Sequence, residues 1–278
     1  MKTISLASLT LILAAGAAPA LAQSGSPDWS GPYIGIYGSY LEPADGDNER
    51  LNFDRNFDGR FNDTVVTPAG ADAFSTGFCS GQANSVSAAS GCHGDKGGVE
   101  AGIRGGYDYQ FGSFVVGGLV EISGTEVQDT VTGFSTTPAA YVFKRNLENL
   151  AAARLRVGYA FGDALVYGTG GYARGEMTNR FITSNTVNSF TATVDEDSAD
   201  GWQAGGGLEY KLAPNLTVFG EYVYTSLEPG DFVVRFGPGV APFFNAFILP
   251  PNTGGTDVQR SNDEFNLHAV RIGMNYRF

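Results

Sequence analysis

The C-terminal segment alternates between two kinds of side chain, and this pattern constrains the fold more than any other feature. Along residues 268–278, large apolar side chains occupy every second position up to the carboxyl terminus. A period of two is typical of a strand with one apolar face. Soluble domains seldom carry such a face to the last residue, whereas a strand between lipid and a polar lumen does. The alternating residues are Val270, Ile272, Met274, Tyr276 and Phe278.

The N-terminal segment has the features of an export signal. Lys2 precedes an apolar run from Ile4 to Ala18, and the small-residue motif Ala20-Leu21-Ala22 follows. A charged residue, a short apolar run and an A-x-A site in this order are typical of a cleaved secretory signal. We therefore predict a signal peptide over residues 1–22 and a mature domain over residues 23–278.

Composition favours an all-β domain over a helical enzyme. The chain has 278 residues, with 39 glycines, 20 phenylalanines, 13 tyrosines and only 17% charged residues. Outside the signal, stretches with a period of 3.6 residues are nearly absent. The formal net charge of -12 argues against nucleic acid as a partner.

Eight period-two segments occur along the mature chain. Short turns, such as Gly112-Ser113 and Gly162-Asp163, join neighbouring segments, and long polar connections separate the resulting pairs. This arrangement predicts an eight-stranded antiparallel transmembrane β-barrel with short periplasmic turns and long extracellular loops. Most segments have roughly the 9 to 11 residues that a tilted crossing needs. The segments cover residues 32–41, 98–111, 114–123, 151–161, 164–176, 201–212, 216–225 and 268–278.

Several motifs in these segments resemble those of a known family. They are Trp29-x-Gly-x-Tyr-x-Gly35 and residues 154–163, 167–171, 201–210, 219–224 and 276–278. The chain resembles the outer-membrane immunogenic or porin-like family, which is similar to the OmpA transmembrane domain and the opacity proteins. The resemblance implies a Gram-negative outer membrane, with lipid and lipopolysaccharide around the barrel. It also implies that the terminal aromatics, Tyr276 and Phe278, form part of the signal read by the barrel assembly machinery.

Charged residues of both signs share the inward parity of the predicted strands. An eight-stranded barrel has an interior just wide enough for its own side chains, so these groups must pair. A packed salt-bridge plug is therefore favoured over a gated narrow pore. The predicted lumen network comprises Glu100, Arg104, Asp108, Glu121, Arg154, Arg156, Glu209, Lys211, Glu221, Arg271 and Arg277.

The two cysteines, Cys79 and Cys92, lie in the first long connection. In an oxidising compartment they are expected to form a disulfide. A metal site is disfavoured because two thiolates need two further ligands, and only His93 is nearby. No metal or cofactor is predicted.

The last long connection carries an apolar load that is unusual for a surface loop. Two interpretations remain open: a contact surface, or a strand that extends beyond the membrane and packs against other loops. The candidate contact residues are Phe236, Phe243, Phe244, Phe247, Ile248 and Leu249.

Two further features are weaker candidates for sites. His268 lies near the outer end of the last segment, but no hydroxyl follows at the next position on its face, so a rim histidine is favoured over a lipid esterase. The acidic stretches Asp45-Gly-Asp47 and Asp195-Glu196-Asp197 could bind Ca²⁺ or bridge lipopolysaccharide, although solvated loops are favoured.

These observations predict a structural outer-membrane surface protein that is not an enzyme. Its loops would mediate contact or adhesion with a host or surface ligand and support envelope integrity. Three alternatives remain: a narrow porin, a receptor for a ligand such as haem, and, ranked last, a lipid-modifying enzyme.

Overall fold

A computed structural model of the chain describes residues 28–44, 49–95 and 97–278. The predicted signal peptide and the stretch Asp45-Gly-Asp47 lie outside these ranges. Within them, no helix has the length and apolar character needed to cross a membrane.

Almost all regular structure in the described ranges is β-strand, with two short 3₁₀ helices at Ala88–Ser90 and Ala246–Ile248. The strands are β1 (Gly31–Pro43), β2 (Leu51–Asp54), β3 (Phe78–Ser80), β4 (Gln82–Ala83), β5 (Cys92–His93), β6 (Gly98–Phe111), β7 (Phe114–Ser135), β8 (Ala139–Phe161), β9 (Ala164–Thr183), β10 (Ser189–Asp195), β11 (Ser198–Ala213), β12 (Leu216–Pro229), β13 (Phe232–Gly237), β14 (Thr256–Arg260) and β15 (Phe265–Arg277).

Eight strands close into an antiparallel ring in the order β1-β6-β7-β8-β9-β11-β12-β15. The ring closes where β15 pairs with β1, with Tyr33 opposite Arg277 and Tyr40 opposite Val270. Tight turns with a left-handed glycine, Gly112 and Gly162, join β6 to β7 and β8 to β9. Closure leaves no unpaired edge within the ring. The predicted barrel is confirmed, and its closing strand is the C-terminal segment.

The two faces of the ring differ in chemistry as the alternation predicts. On β15, the Ile272 side chain is 74% exposed on the outside, whereas the adjacent Arg271 is 1% exposed inside the barrel. In β9 the glycines of residues 167–172 weaken the alternation in the sequence. The structure directs Leu165, Tyr167 and Thr169 of this strand into the lumen.

Three ring strands extend well beyond their predicted ends. Strand β7 continues to Ser135 and β8 begins at Ala139, so residues predicted to be a polar connection instead form a β-hairpin. Strand β9 likewise runs on to Thr183. Near the hairpin tip both faces of β7 are buried. The apolar-polar contrast that marks a lipid-facing strand is therefore lost there.

The long connections fold into a structured cap at the loop end of the barrel, formed by residues 49–95, 127–147, 177–197 and 229–264. A four-stranded sheet in the order β10-β13-β14-β2 packs against the extensions of β7, β8 and β9. An aromatic core lies between them. Its rings include Phe53, Phe74, Tyr141, Phe143, Phe181, Phe190, Phe236 and Phe247.

The disulfide between Cys79 and Cys92 is present and joins β3 to β5. Strand β3 itself pairs with the β7 extension, with Phe78 opposite Gly133. Within the cap, the disulfide therefore ties the small β4–β5 hairpin to β3 and its partner β7.

The orientation of β15 can be tested by introducing a charge on each face. Ile272→Arg should destabilise the barrel by about 2 to 4 kcal/mol because it exposes a charge to lipid near mid-depth. The control Leu212→Arg, on the outward face beside a short turn, should cost about 0 to 1 kcal/mol. Urea unfolding in lipid vesicles measures both, and equal costs would contradict the depth assignment.

Candidate functional site: a sealed lumen and an extracellular cap

The barrel interior near the short turns holds two carboxylates between two guanidinium groups. Asp108 accepts a hydrogen bond of 3.1 Å from Arg156 and one of 2.8 Å from Arg277. Glu209 also pairs with Arg156 and lies 3.3 Å from Arg277 Nη1. The Thr217 hydroxyl donates to Glu209 at 2.6 Å. Each charge therefore has more than one partner of opposite sign.

The next layer is centred on Arg104, which links the lower carboxylates to those above. Its guanidinium lies 3.6 Å from Glu221 and 3.9 Å from Glu209, and its Nε donates to Asn275 at 2.9 Å. It also stacks over the Phe219 ring, 3.3 Å from the centroid. Aromatic faces attract such cations most where water is excluded.

Two further arginines complete the ladder toward the long loops. Arg154 bonds Glu221 and Glu121, both at 2.8 Å. Arg271 lies 2.7 Å from the other Glu121 oxygen and 3.2 Å from Glu100. Glu121 thus bridges two guanidinium groups from opposite sides of the lumen.

Ten of the predicted network residues meet in this ladder, five guanidinium groups with five carboxylates, all buried. Lys211 was wrongly placed in the network. It lies two positions beyond Glu209, beside the turn, and its ammonium instead donates to the Asp28 carbonyl at 2.6 Å. The ladder therefore carries equal numbers of opposite charges.

The segment before β1 covers the barrel end beside the short turns. The buried Trp29 packs with Val115 and Leu165, and its carbonyl accepts a hydrogen bond from Arg277. The Lys211 ammonium lies 4.6 Å from the centre of the Trp29 ring. The N-terminal and C-terminal ends of the barrel are thereby bound to each other.

An apolar layer fills the lumen between the ladder and the cap. Its buried side chains come from several ring strands and pack into one cluster. Above Arg271 and Glu100, the interior therefore changes from charged to apolar. The larger members are Leu41, Val127, Leu147, Leu150, Met177, Val223, Leu227, Phe265 and Leu267.

A buried charge cluster joins the cap sheet to the extensions of the barrel strands β7 and β8. Arg260 of β14 lies 2.8 Å from both Glu49 and Asp129. Arg145 donates to Asp129 at 2.6 Å and to the Glu264 carbonyl at 2.6 Å. Burial alone would raise the pKa of Asp129, but the adjacent Arg260 and Arg145 hold it below its usual value. We name these four side chains the cap clamp.

The cap clamp was missed by sequence reasoning because Asp129 and Arg145 fall in the segment predicted to be a polar connection. The alternation of β7 nevertheless continues past its predicted end and could have indicated the longer strand. Val127, Asp129 and Val131 alternate with exposed or polar residues and continue the inward parity of β7.

The predicted contact loop divides into buried and exposed parts. Phe236, Phe247 and Ile248 are buried in the aromatic core of the cap, so they are unavailable as a contact surface and that prediction is corrected. Leu249 is half-buried. Only Phe243 and Phe244 of the predicted set are exposed, by 85% and 53%. Most of the apolar load therefore stabilises the cap.

The remaining candidate residues lie on the surface. His268 is on the outer wall, where its Nδ1 lies 2.5 Å from the Tyr222 hydroxyl and its ring packs beside Tyr224. Residues 195–197 form an exposed turn, in which Asn179 donates to the Glu196 carbonyl at 2.8 Å. Across the described ranges, no group of three or more histidine, cysteine and carboxylate side chains is positioned to hold a metal ion.

A closed ring with an apolar outer wall and a charged interior defines an outer-membrane β-barrel. The family model described as the outer membrane protein beta-barrel domain matches residues 8–278, and the chain belongs to this family. The protein is located in the cell outer membrane.

Two curated relatives match the chain along its whole length. They are the 31 kDa outer-membrane immunogenic proteins of Brucella melitensis biotype 1 and Brucella suis biovar 1. Each is 26% identical over 291 residues, with 100% of both chains covered.

Solved outer-membrane barrels also superimpose on the chain. OprG of Pseudomonas aeruginosa has a TM-score of 0.47 and 13% identity, covering 90% of this chain and 96% of that one. Ail, the attachment invasion locus protein of Yersinia pestis, has a TM-score of 0.33 and 12% identity, covering 90% of this chain and 99% of that one. The Escherichia coli outer membrane protease OmpT has a TM-score of 0.42 and 11% identity, covering 93% of this chain and 99% of that one.

Removal of one ladder carboxylate tests the role of pairing. Glu121→Leu leaves Arg154 and Arg271 each without one buried partner, and should destabilise the barrel by about 3 to 5 kcal/mol. The control Glu126→Leu alters an exposed carboxylate on the same strand and should change stability by about 0.5 kcal/mol or less. Urea unfolding in vesicles provides the comparison. Similar effects for both variants would contradict the ladder.

Acidification should loosen the cap through Asp129. Its pKa is lowered on folding, so its stabilising effect is present above the ordinary carboxyl pKa of about 3.9 and is lost as pH falls through the lower folded value. The protection factors of the β14 amides, which compare the observed exchange rates with the intrinsic rates at the same pH, should therefore fall below about pH 4. In Asp129→Asn these protection factors should already be lower at neutral pH and should depend less on acid, and an unchanged profile would exclude the cap clamp as the cause.

Proposed function

We propose that the protein is a non-enzymatic surface protein whose sealed barrel holds an extracellular cap, and that the cap mediates contact or adhesion. The exposed apolar tip of the cap is the observation that carries this proposal. Val240 and Phe243 are 83% and 85% exposed there, beside Phe244. Large apolar side chains exposed together at the end of a structured element mark a contact surface.

The packed interior favours an anchoring role over transport. The charge ladder and the apolar layer lie one after the other along the lumen. A solute that crossed the barrel would therefore have to displace both the paired charges and the packed side chains. The cap clamp then fixes the cap sheet to the extended strands of this barrel through buried ion pairs. A contact surface on such a support loses little conformational freedom on binding.

The alternatives of ligand receptor and lipid enzyme have weaker support. His93 is exposed at the end of β5, opposite Gln82 of β4, so its ring is open to solvent. The nearest described partner of His268 is the Tyr222 phenol, and an esterase would need a nucleophile activated by the imidazole.

The contact role can be tested with two matched cap variants. Intact cells carrying Phe243→Ser with Phe244→Ser should lose most of their adherence to host-cell monolayers, because the apolar tip is removed. Val86→Ser changes an exposed apolar residue elsewhere in the cap and should adhere like the wild type.

Heat-modifiable migration in gels should be the same for both variants and the wild type, which shows that the barrel has assembled. The contact role would be refuted if cells carrying the wild type and cells carrying either variant adhered equally. It would also be refuted if cells that lack the protein adhered as well as cells carrying the wild type.

A further inference from the structure

The exposed apolar residues of the cap are concentrated on one face. Residues 181–194 and 236–256 contain no charged residue, although the whole chain has a net charge of -12. We name the surface of these two segments the uncharged face. Apart from Val86, the exposed large apolar side chains of the cap all lie on it. They are Ile182, Val187, Val194, Val240, Phe243 and Phe244.

The two segments of the uncharged face form one continuous surface. Strand β10 pairs with β13, with Ser189 opposite Gly237. The amide of Val240 donates to the Val187 carbonyl at 2.8 Å, and the Asn188 side chain donates to the Gly237 carbonyl at 2.9 Å. The exposed tip therefore lies directly beside the start of β10.

Strand β10 forms an edge of the cap sheet. It pairs with β13 on one side, and in the described ranges no strand pairs with its other side. All its residues except Phe190 are exposed, and its sequence Ser-Phe-Thr-Ala-Thr-Val is rich in residues that favour strands. Such an edge presents unpaired main-chain N–H and C=O groups to any chain that approaches it.

We propose that the free edge of β10 binds an extended polypeptide segment of a partner protein by strand addition. This inference rests on the contact role proposed above and names its partner class. An extended peptide satisfies a row of alternating donors and acceptors, which a lipid chain does not. Polyanionic ligands such as nucleic acid or sulfated sugars need basic residues, and the uncharged face has none.

The edge also sets the length and register of the partner strand. The ladder between β10 and β13 is regular from Ser189 to Ala192 and shifts register between Ala192 and Val194. A bulge of this kind ends regular pairing on that strand. The partner strand therefore pairs along the first half of β10, between Ser189 and Ala192, and the exposed Val187 lies where this paired stretch begins.

A synthetic peptide provides a direct probe of the edge. A fluorescent peptide with the β10 sequence Ser-Phe-Thr-Ala-Thr-Val-Asp is titrated against the full-length mature protein in lipid nanodiscs, and binding is followed by anisotropy. The control is the same peptide N-methylated at every interior residue, which removes its amide donors. We expect binding that weakens about tenfold or more on N-methylation, because several main-chain hydrogen bonds are lost.

Two protein variants locate the binding strand. Neighbouring residues direct their amides to opposite edges, so one of Thr191→Pro and Ala192→Pro blocks the free edge and the other disturbs pairing with β13. One variant should lose peptide binding while its cap remains resistant to protease. Loss of binding in neither variant would overturn the assignment to β10.

Other outcomes contradict the inference without contradicting the contact role. Equal binding of both peptides would show side-chain contact alone, and no binding to a protease-resistant wild-type cap would exclude strand addition. Capture of phosphatidylcholine vesicles by the wild type, but not by Phe243→Ser with Phe244→Ser, would make the partner a lipid surface. Conversely, peptide binding with normal adherence of the tip variant would refute the contact role alone.

Discussion

The structure depends on the pairing of five guanidinium groups with five carboxylates inside a ring too narrow to hydrate them. A single buried charge without a partner would lower the stability of the barrel by roughly 3 to 5 kcal/mol. The sequence must therefore place opposite charges on strands that are distant along the chain. Arg154 of β8 and Arg271 of β15 meet at Glu121 of β7 only when the ring is closed. The lumen charges thus specify closure and register together.

The cap depends on that closed ring and extends it. Strands β7, β8 and β9 leave the barrel as continuous β-structure, so the cap sheet packs on elements whose register is already fixed. The cap clamp repeats the chemistry of the lumen at the junction, with two guanidinium groups between two carboxylates. The aromatic core buries most of the large apolar residues of the cap, and apart from Val86 the exposed ones lie on the uncharged face.

The barrel could be predicted from sequence because lipid outside and a charged lumen inside impose a strict period of two. Residues 98–111 and 268–278 display it, and their faces follow the prediction. The cap could not be predicted, because a strand buried on both faces, as β7 is beyond Asp129, loses that contrast. Phe236 and Phe247 illustrate the consequence. Their sequence context marked them as apolar but did not reveal that Tyr141 of another connection packs against both rings.

Conductance across planar bilayers tests the sealed lumen most directly. Single barrels should give no steady current at moderate voltage, because the charge ladder and the apolar layer of Leu147, Leu150 and Leu267 close the same path in series. Large, reproducible channels with a fixed unit conductance would contradict the packed interior.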